Sequence, residues 1–181
     1  LLHRHHPGQA RFANAVYTYE PNFATGDYRE GVIEETAEQV TFAFQSPYVI
    51  AATPPTAAPW AIYENGCRNG LIITGTGETR VALSTDRGQT WHDGGVLDGS
   101  LDLTDWAKGY RQYWIRFDSS ASRLRESGLK IVTVCQANSS IIPRLSDNGS
   151  QVEFHATGQA VVSAGPNVPQ AESHLIAGQF G

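Results

Sequence analysis

Apolar residues along this chain recur with a period of two. "VTFAF" at 40 to 44 alternates Val40, Phe42 and Phe44 with smaller partners, and "LIITGT", "RVALS", "YWIRF", "LKIVTV" and "VEFHA" read the same way. Successive side chains of a strand point to opposite faces, so the alternation predicts half-buried β-strands. Turn signals punctuate the runs: Asn65-Gly66, Asn69-Gly70, Asp86-Arg87-Gly88, Gly94-Gly95 and Asn148-Gly149. No long stretch keeps a helical period. The best short candidate is "LTDWAKGY" at 103 to 110, where Thr104 or Asp105 serves as N-cap and Gly109 as stop, which predicts one short turn of helix.

Many short strands joined by Gly- and Asn-rich turns predict an all-β fold, an antiparallel β-sandwich of jelly-roll type. Residues 1–9 and the stretch 165–181 carry Pro, Gly and Gln without a clean period, and are expected to extend along the surface as edge strands or linkers. That leaves 10–164 as the sandwich domain. A chain of 181 residues fits one such domain with a real core. It contains no Met, even at position 1, which predicts a segment of a longer or processed protein.

Charge narrows the partners. The 18 acidic and 13 basic side chains give a formal net charge of -5, spread evenly without a Lys/Arg cluster, which argues against nucleic acid and anionic membrane. No run of 18 apolar residues and no charged-then-apolar leader occurs, so neither a spanning helix nor a signal peptide is expected within the segment. Cys67 and Cys135 fit either one disulfide in an oxidising compartment or two buried thiols. The sequons Asn138-Ser139-Ser140 and Asn148-Gly149-Ser150 fall in loop-like sequence.

"STDRGQTWHD" at 84 to 93 is the most distinctive stretch. Thr85-Asp86-Arg87-Gly88 follows the strand "RVALS", so Asp86 is placed to accept backbone N–H bonds across a turn and Gly88 to take a positive φ. Thr90 and Trp91 are expected to begin the return strand, the indole shielding those bonds. The pattern Ser84-x-Asp86-x-Gly88-x-Thr90-Trp91 resembles the Asp-box, best known from sialidases, where copies recur between the outer strands of propeller blades. A single copy in a chain about half a sialidase's length argues against that propeller. Single Asp-boxes also occur in jelly-roll sandwiches, in reelin-type repeats and in accessory domains of secreted bacterial hydrolases.

"LDGSLDLTDWAKGYRQYWIRFD" resembles the segment that follows the box in those modules, and "VTVCQANSSIIPRLSDNGSQVEF" resembles the closing strands of sandwiches appended to bacterial polysaccharide-degrading enzymes. The resemblance covers roughly residues 40 to 155. It implies a secreted, periplasmic or extracellular module beside a catalytic domain of the parent chain, with Ser84, Asp86, Gly88, Thr90 and Trp91 structural. It says more about fold than activity, because sandwiches host many functions.

Sugar rings offer apolar faces to aromatic side chains and hydroxyls to amide, carboxylate and guanidinium groups, so aromatics beside such groups are the candidates. In "QYWIRF" alternation puts Tyr113, Ile115 and Phe117 on one face and Trp114 and Arg116 on the other, where they form either a stacking pair or packing beneath a loop. Loop-borne Trp60, Tyr63 and Arg68, beside Glu64 and Asn65, and Trp106, Tyr110 and Arg111, beside Lys108, are candidates for glycan contact or plugs for the sandwich ends. Tyr28 and Arg29 are candidates to join the same region.

A catalytic reading would draw on Asp27, Glu30, Glu34, Glu35, Glu64, Asp93, Asp98, Asp102, Asp105 and His92, none of them in a recognised catalytic motif. A lyase would use Tyr110-Arg111 or His92. The clustered His3, His5 and His6 could take up a transition ion adventitiously, whereas His92 and His155 are isolated. A jelly-roll module more readily implies a structural Ca²⁺, for which Glu20, Asp27, Asp102 and Asp118 are the candidates. The expected function is a non-catalytic carbohydrate-binding module for a poly- or oligosaccharide. The alternatives are a small polysaccharide-acting lyase or hydrolase and a purely structural sandwich packed on a catalytic neighbour.

Overall fold

The computed structural model describes residues 12–138, 158–166 and 174–180. The His3, His5 and His6 cluster, the strand expected at "VEFHA", His155, and both sequons beyond Asn138 lie outside the described residues. The strands are β1 (Phe12–Glu20), β2 (Val32–Glu35), β3 (Val40–Gln45), β4 (Val49–Ile50), β5 (Leu71–Ser84), β6 (His92–Asp102), β7 (Gln112–Phe117), β8 (Lys130–Asn138), β9 (Gly158–Pro166) and β10 (His174–Phe180). Two short α-helices, α1 (Thr104–Ala107) and α2 (Ala121–Ser127), and two 3-10 turns, Asp27–Gly31 and Pro59–Tyr63, interrupt them. The fold is all-β, and every pairing among the described strands is antiparallel.

These strands belong to one hydrogen-bonded sheet in the order β10-β9-β1-β8-β5-β7-β3-β2, with β4 added to β8 and β6 to β5. The stretch set apart by its composition as a C-terminal tail thus supplies β10, an edge of that sheet, and the last residues of β9.

β5 is the strand on which the architecture turns. The runs "LIITGT" and "RVALS", read as two strands, form one strand of 14 residues. Its pairing with β6 breaks register between Gly75 and Thr79, where Gly77 at φ 103 and Glu78 at φ 47 turn the backbone. Before the bend Leu71–Thr74 pair with β8, and after it Val81–Ser84 pair with β7. One strand therefore serves two parts of the sheet.

The sheet curls until those two parts face each other. Tyr17 of β1 meets Phe44 of β3 edge-on at 5.6 Å, and Tyr19 meets Phe42 at 5.9 Å. Tyr113 of β7 and Thr133 of β8 bring their hydroxyls to 2.8 Å in the interior. Between the faces Leu71, Ile73, Val81, Leu83, Ile115 and Phe117 are fully buried. β7 alternates as its sequence indicates, with Tyr113, Ile115 and Phe117 inward and Trp114 and Arg116 on the half-exposed side.

The helices cap the gaps this curl leaves. α2 begins at Ser120, whose side chain accepts the Arg123 N–H, and stops at Gly128 in the left-handed region, with Leu124 buried beneath it. α1 departs from the expected capping. Leu103 holds its N-cap position without a side-chain bond. Thr104 instead accepts the N–H groups of Gly70 and Leu71 at 2.7 and 3.1 Å, so its hydroxyl ties the helix to the start of β5.

Burial makes the Tyr113 and Thr133 pair a sensitive point, since Thr133 is 1% exposed. Tyr113→Phe should lower unfolding free energy in urea by about 1–3 kcal/mol, because it leaves a buried hydroxyl unsatisfied. Adding Thr133→Val should recover part of that loss. A double variant that loses the sum of both single effects would show that the two hydroxyls are not coupled.

Candidate functional site

The turn between β5 and β6 is closed by side chains. Asp86 accepts the Ser84 hydroxyl at 2.7 Å, the Thr90 N–H at 2.9 Å and the Thr90 hydroxyl at 2.6 Å, while Ser84 Oγ accepts the Gly88 N–H at 2.8 Å. The Thr90 hydroxyl, then its N–H, then Ser84 hold the Asp86 carboxyl down at about 2. Arg87 and Gly88 both take positive φ, 60 and 82. Gly88 is also pressed on Trp114, where a Cβ would stand 2.8 Å from the ring. Trp114 thus lies under the turn. Arg116 sits over Trp91, its guanidinium 4.7 Å from the ring centroid, and ion-pairs with Asp118 at 3.4 Å. The return strand begins at His92, two residues later than the Thr90 start expected of it.

The bend in β5 and β6 brings the two ends of this hairpin together, and the chain between α1 and β7 crosses them. Leu103 at one end packs on Gly94 near the other, and Trp106 of α1 stacks on His92 with centroids 4.3 Å apart. Asp105, expected as a cap, reaches out of the helix to accept the Gly66 and Cys67 N–H groups at 2.6 and 3.0 Å. Lys108 Nζ donates to the Glu64 carbonyl at 2.5 Å, to Asp105 at 3.0 Å and to Cys67 Sγ at 3.3 Å. Desolvation pushes the Asp105 carboxyl up and the Lys108 ammonium down, but their mutual bond and the loop N–H groups outweigh it. Both stay charged more firmly than free side chains do.

Those bonds join the loop carrying Trp60, Tyr63 and Arg68 to the segment carrying Trp106, Tyr110 and Arg111. The aromatics are exposed: Trp60 by 67%, Tyr63 by 80%, Trp106 by 45% and Tyr110 by 49%. Beside Tyr110 opens a cleft of about 650 Å³ lined by Gln45, Ser46, Pro47, Thr85, Gly109, Tyr110, Arg111 and Gln112. The crossover from β3 to β4 makes one wall, fixed when Ser46 N–H donates to the Arg111 carbonyl at 2.8 Å and Ile50 N–H to the Tyr110 carbonyl at 2.7 Å. Gln45 and Gln112 face each other in the β3–β7 register, and Arg87 Nε donates to Gln112 Oε1 at 3.3 Å.

Gln45, Ser46 and Gln112 carry no sequence signal for a site, and Thr85 carries one only for the turn. They come from three chain segments, and only the pairing of β3 with β7 reveals their proximity. Trp114 and Arg116 are not brought into the cleft; they pack with Gly88 and Trp91. Tyr28 is a core residue, 2% exposed, packed on Phe23 and donating to Glu35 at 2.8 Å, with Arg29 held on the same carboxylate.

The carboxylates considered for a cation are engaged separately. Glu20 pairs with Lys130, Asp27 accepts from Thr25, Asp102 from the Asn69 and Thr104 N–H groups, and Asp118 pairs with Arg116. Among the described residues no group of three His, Cys, Asp or Glu side chains comes together to hold a metal ion. Both cysteines are free and buried, Cys67 against loop carbonyls and Cys135 in β8, where burial pushes its thiol up to about 11. Comparison with family models, curated proteins and solved structures finds no significant match for the chain.

Because Asp86 is held below its ordinary value of about 4, it stabilises the folded turn above that pH, and the contribution disappears as pH falls towards 2. Thermal melts should therefore show Asp86→Asn less stable than the parent at pH 7. The gap should close between about pH 4 and pH 2. A gap of constant size across that range would mean that the charge of Asp86 does not support the turn.

Proposed function

We propose that this chain is a non-catalytic carbohydrate-binding module of a secreted polysaccharide-active protein, built as a jelly-roll type sandwich in which the turn at Ser84–Trp91 is an Asp-box. The observation that carries the reading is the company the exposed aromatics keep. Trp60, Tyr63, Trp106 and Tyr110 stand on two loops bonded to each other, and Tyr110 lines an open cleft with the amides of Gln45 and Gln112, the Thr85 hydroxyl and Arg111. Rings for stacking and neutral donors and acceptors for hydroxyls are what recognition of a pyranose chain requires.

The support beneath these groups favours recognition of a rigid ligand. Lys108 and Asp105 staple the two loops through charged hydrogen bonds, and the backbone of 109–111 is fastened to the β3–β4 crossover. Side chains held this way lose less freedom on binding, so more of the contact energy remains as affinity. Trp114 and Arg116 serve the frame instead of the ligand. The ligand would be a poly- or oligosaccharide, and a catalytic domain elsewhere in the parent protein would benefit from its capture.

Affinity electrophoresis and calorimetry against a polysaccharide panel test the reading. Tyr110→Ala and Trp60→Ala should weaken binding at least about tenfold while the thermal midpoint stays near that of the parent. Trp114→Ala should instead lower the midpoint, because it removes the ring beneath Gly88. Reducing ends or unsaturated products released from the same panel would replace this reading with that of a small hydrolase or lyase.

A further inference from the structure

The cleft beside Tyr110 holds a cation and no acid among its lining residues. The whole chain carries a net charge of -5, yet the only charged side chain lining the cleft is Arg111, and Arg87 stands at its edge through its bond to Gln112. Among the described residues neither guanidinium has a carboxylate within ion-pair distance; Arg29, Arg80, Lys108, Arg116 and Lys130 are paired, and Arg68, Arg123 and Arg125, away from the cleft lining, are not. Asp86, the nearest acid in the chain, is consumed by Ser84 and Thr90.

Arg87 adds a second sign of purpose. It occupies a left-handed backbone position, φ 60, where Gly or Asn would sit at lower cost. The turn itself does not need a guanidinium there, because Asp86, Ser84 and Gly88 close it. At that position its Nε takes the Oε1 of Gln112 and leaves the amide NH₂ as the unbound end. The cleft is thus supplied with donors: the Arg111 guanidinium with that of Arg87 at the edge, the amides of Gln45 and Gln112, and the Thr85 hydroxyl.

From this arrangement we propose, resting on the carbohydrate-binding reading above, that the cleft selects an acidic glycan, with a carboxylate or sulfate substituent paired to Arg111 and the sugar ring laid on Tyr110. A planar guanidinium meets either oxyanion with two parallel hydrogen bonds, and an unpaired one gains a bond without breaking an existing ion pair. The overall negative charge is no obstacle at close range. At physiological ionic strength the Debye length is about 8 Å, so distant carboxylates are largely screened while the contact pair is not.

The experiment titrates the full chain by calorimetry with oligogalacturonate, a sulfated chondroitin fragment and a neutral galactan oligosaccharide of matched length, each at low and high sodium chloride. At least one acidic ligand should bind roughly tenfold tighter than the neutral one and weaken with salt. Arg111→Ala should abolish that preference by bringing the acidic ligand's affinity down to that of the neutral one, Arg111→Lys should restore it only in part, and Arg87→Ala should reduce it less. Which acidic arm binds identifies the substituent. Equal or tighter binding of the neutral ligand, unaffected by Arg111→Ala, overturns the acidic preference and leaves the carbohydrate reading standing. No binding in any arm overturns both.

Discussion

The bend in β5 is the constraint from which the rest of the structure follows. A straight strand of 14 residues would pair with β8 and β7 in one flat sheet and leave its apolar face open to water. Turning at Gly75–Thr79 lets the same strand present Leu71 and Ile73 to one half of the core and Val81 and Leu83 to the other. The hydrophobic effect rewards that closure, since those four side chains each reach full burial, worth about 1.5–3 kcal/mol apiece. Gly77 makes it affordable at its positive φ, where a side chain would add strain.

The bend also produces the rim. With β6 following β5 through the turn, both ends of the hairpin come to one place, and the segment from Leu103 to Arg111 spans them. The loop that ends at Gly70 has little backbone room. At Gly70 a Cβ would stand 2.0 Å from the Ala51 carbonyl, so the crossing of that loop with the 50–53 segment admits no other residue without movement. Trp106 and Tyr110, carried on this crossing segment, are about half exposed.

Much of the framework was legible in the sequence because it depends on nearest neighbours. Period-two runs mark β3, β7, β8 and both parts of β5, and the in-out order of Tyr113, Trp114, Ile115, Arg116 and Phe117 follows from strand geometry alone. Less was legible where distant pairing decides. Gly75–Thr79 reads equally well as a turn between two strands, and only simultaneous pairing to β6, β7 and β8 makes it a bend within one. Thr104 and Asp105 have the chemistry of caps, but the unpaired N–H groups of a loop more than 30 residues away compete for the same oxygens and win. α2 carried a local signal in Ser120 and Gly128, too brief at seven residues to show a period. The cleft had no linear signal, because Gln45, Thr85 and Gln112 meet only through the sheet.

The two thiols divide the molecule between them. Cys67 is enclosed by the carbonyls of its own loop and by Lys108, so it is covered as long as the rim is closed. Cys135 lies inside β8, with β1 on one side and β4 on the other, and is uncovered only when strands part. Opening of a loop and opening of a sheet differ in free energy and hence in frequency. The same chemical group placed in each layer makes this chain its own two-channel clock, in which the order of thiol exposure records how far an excursion from the native state has gone.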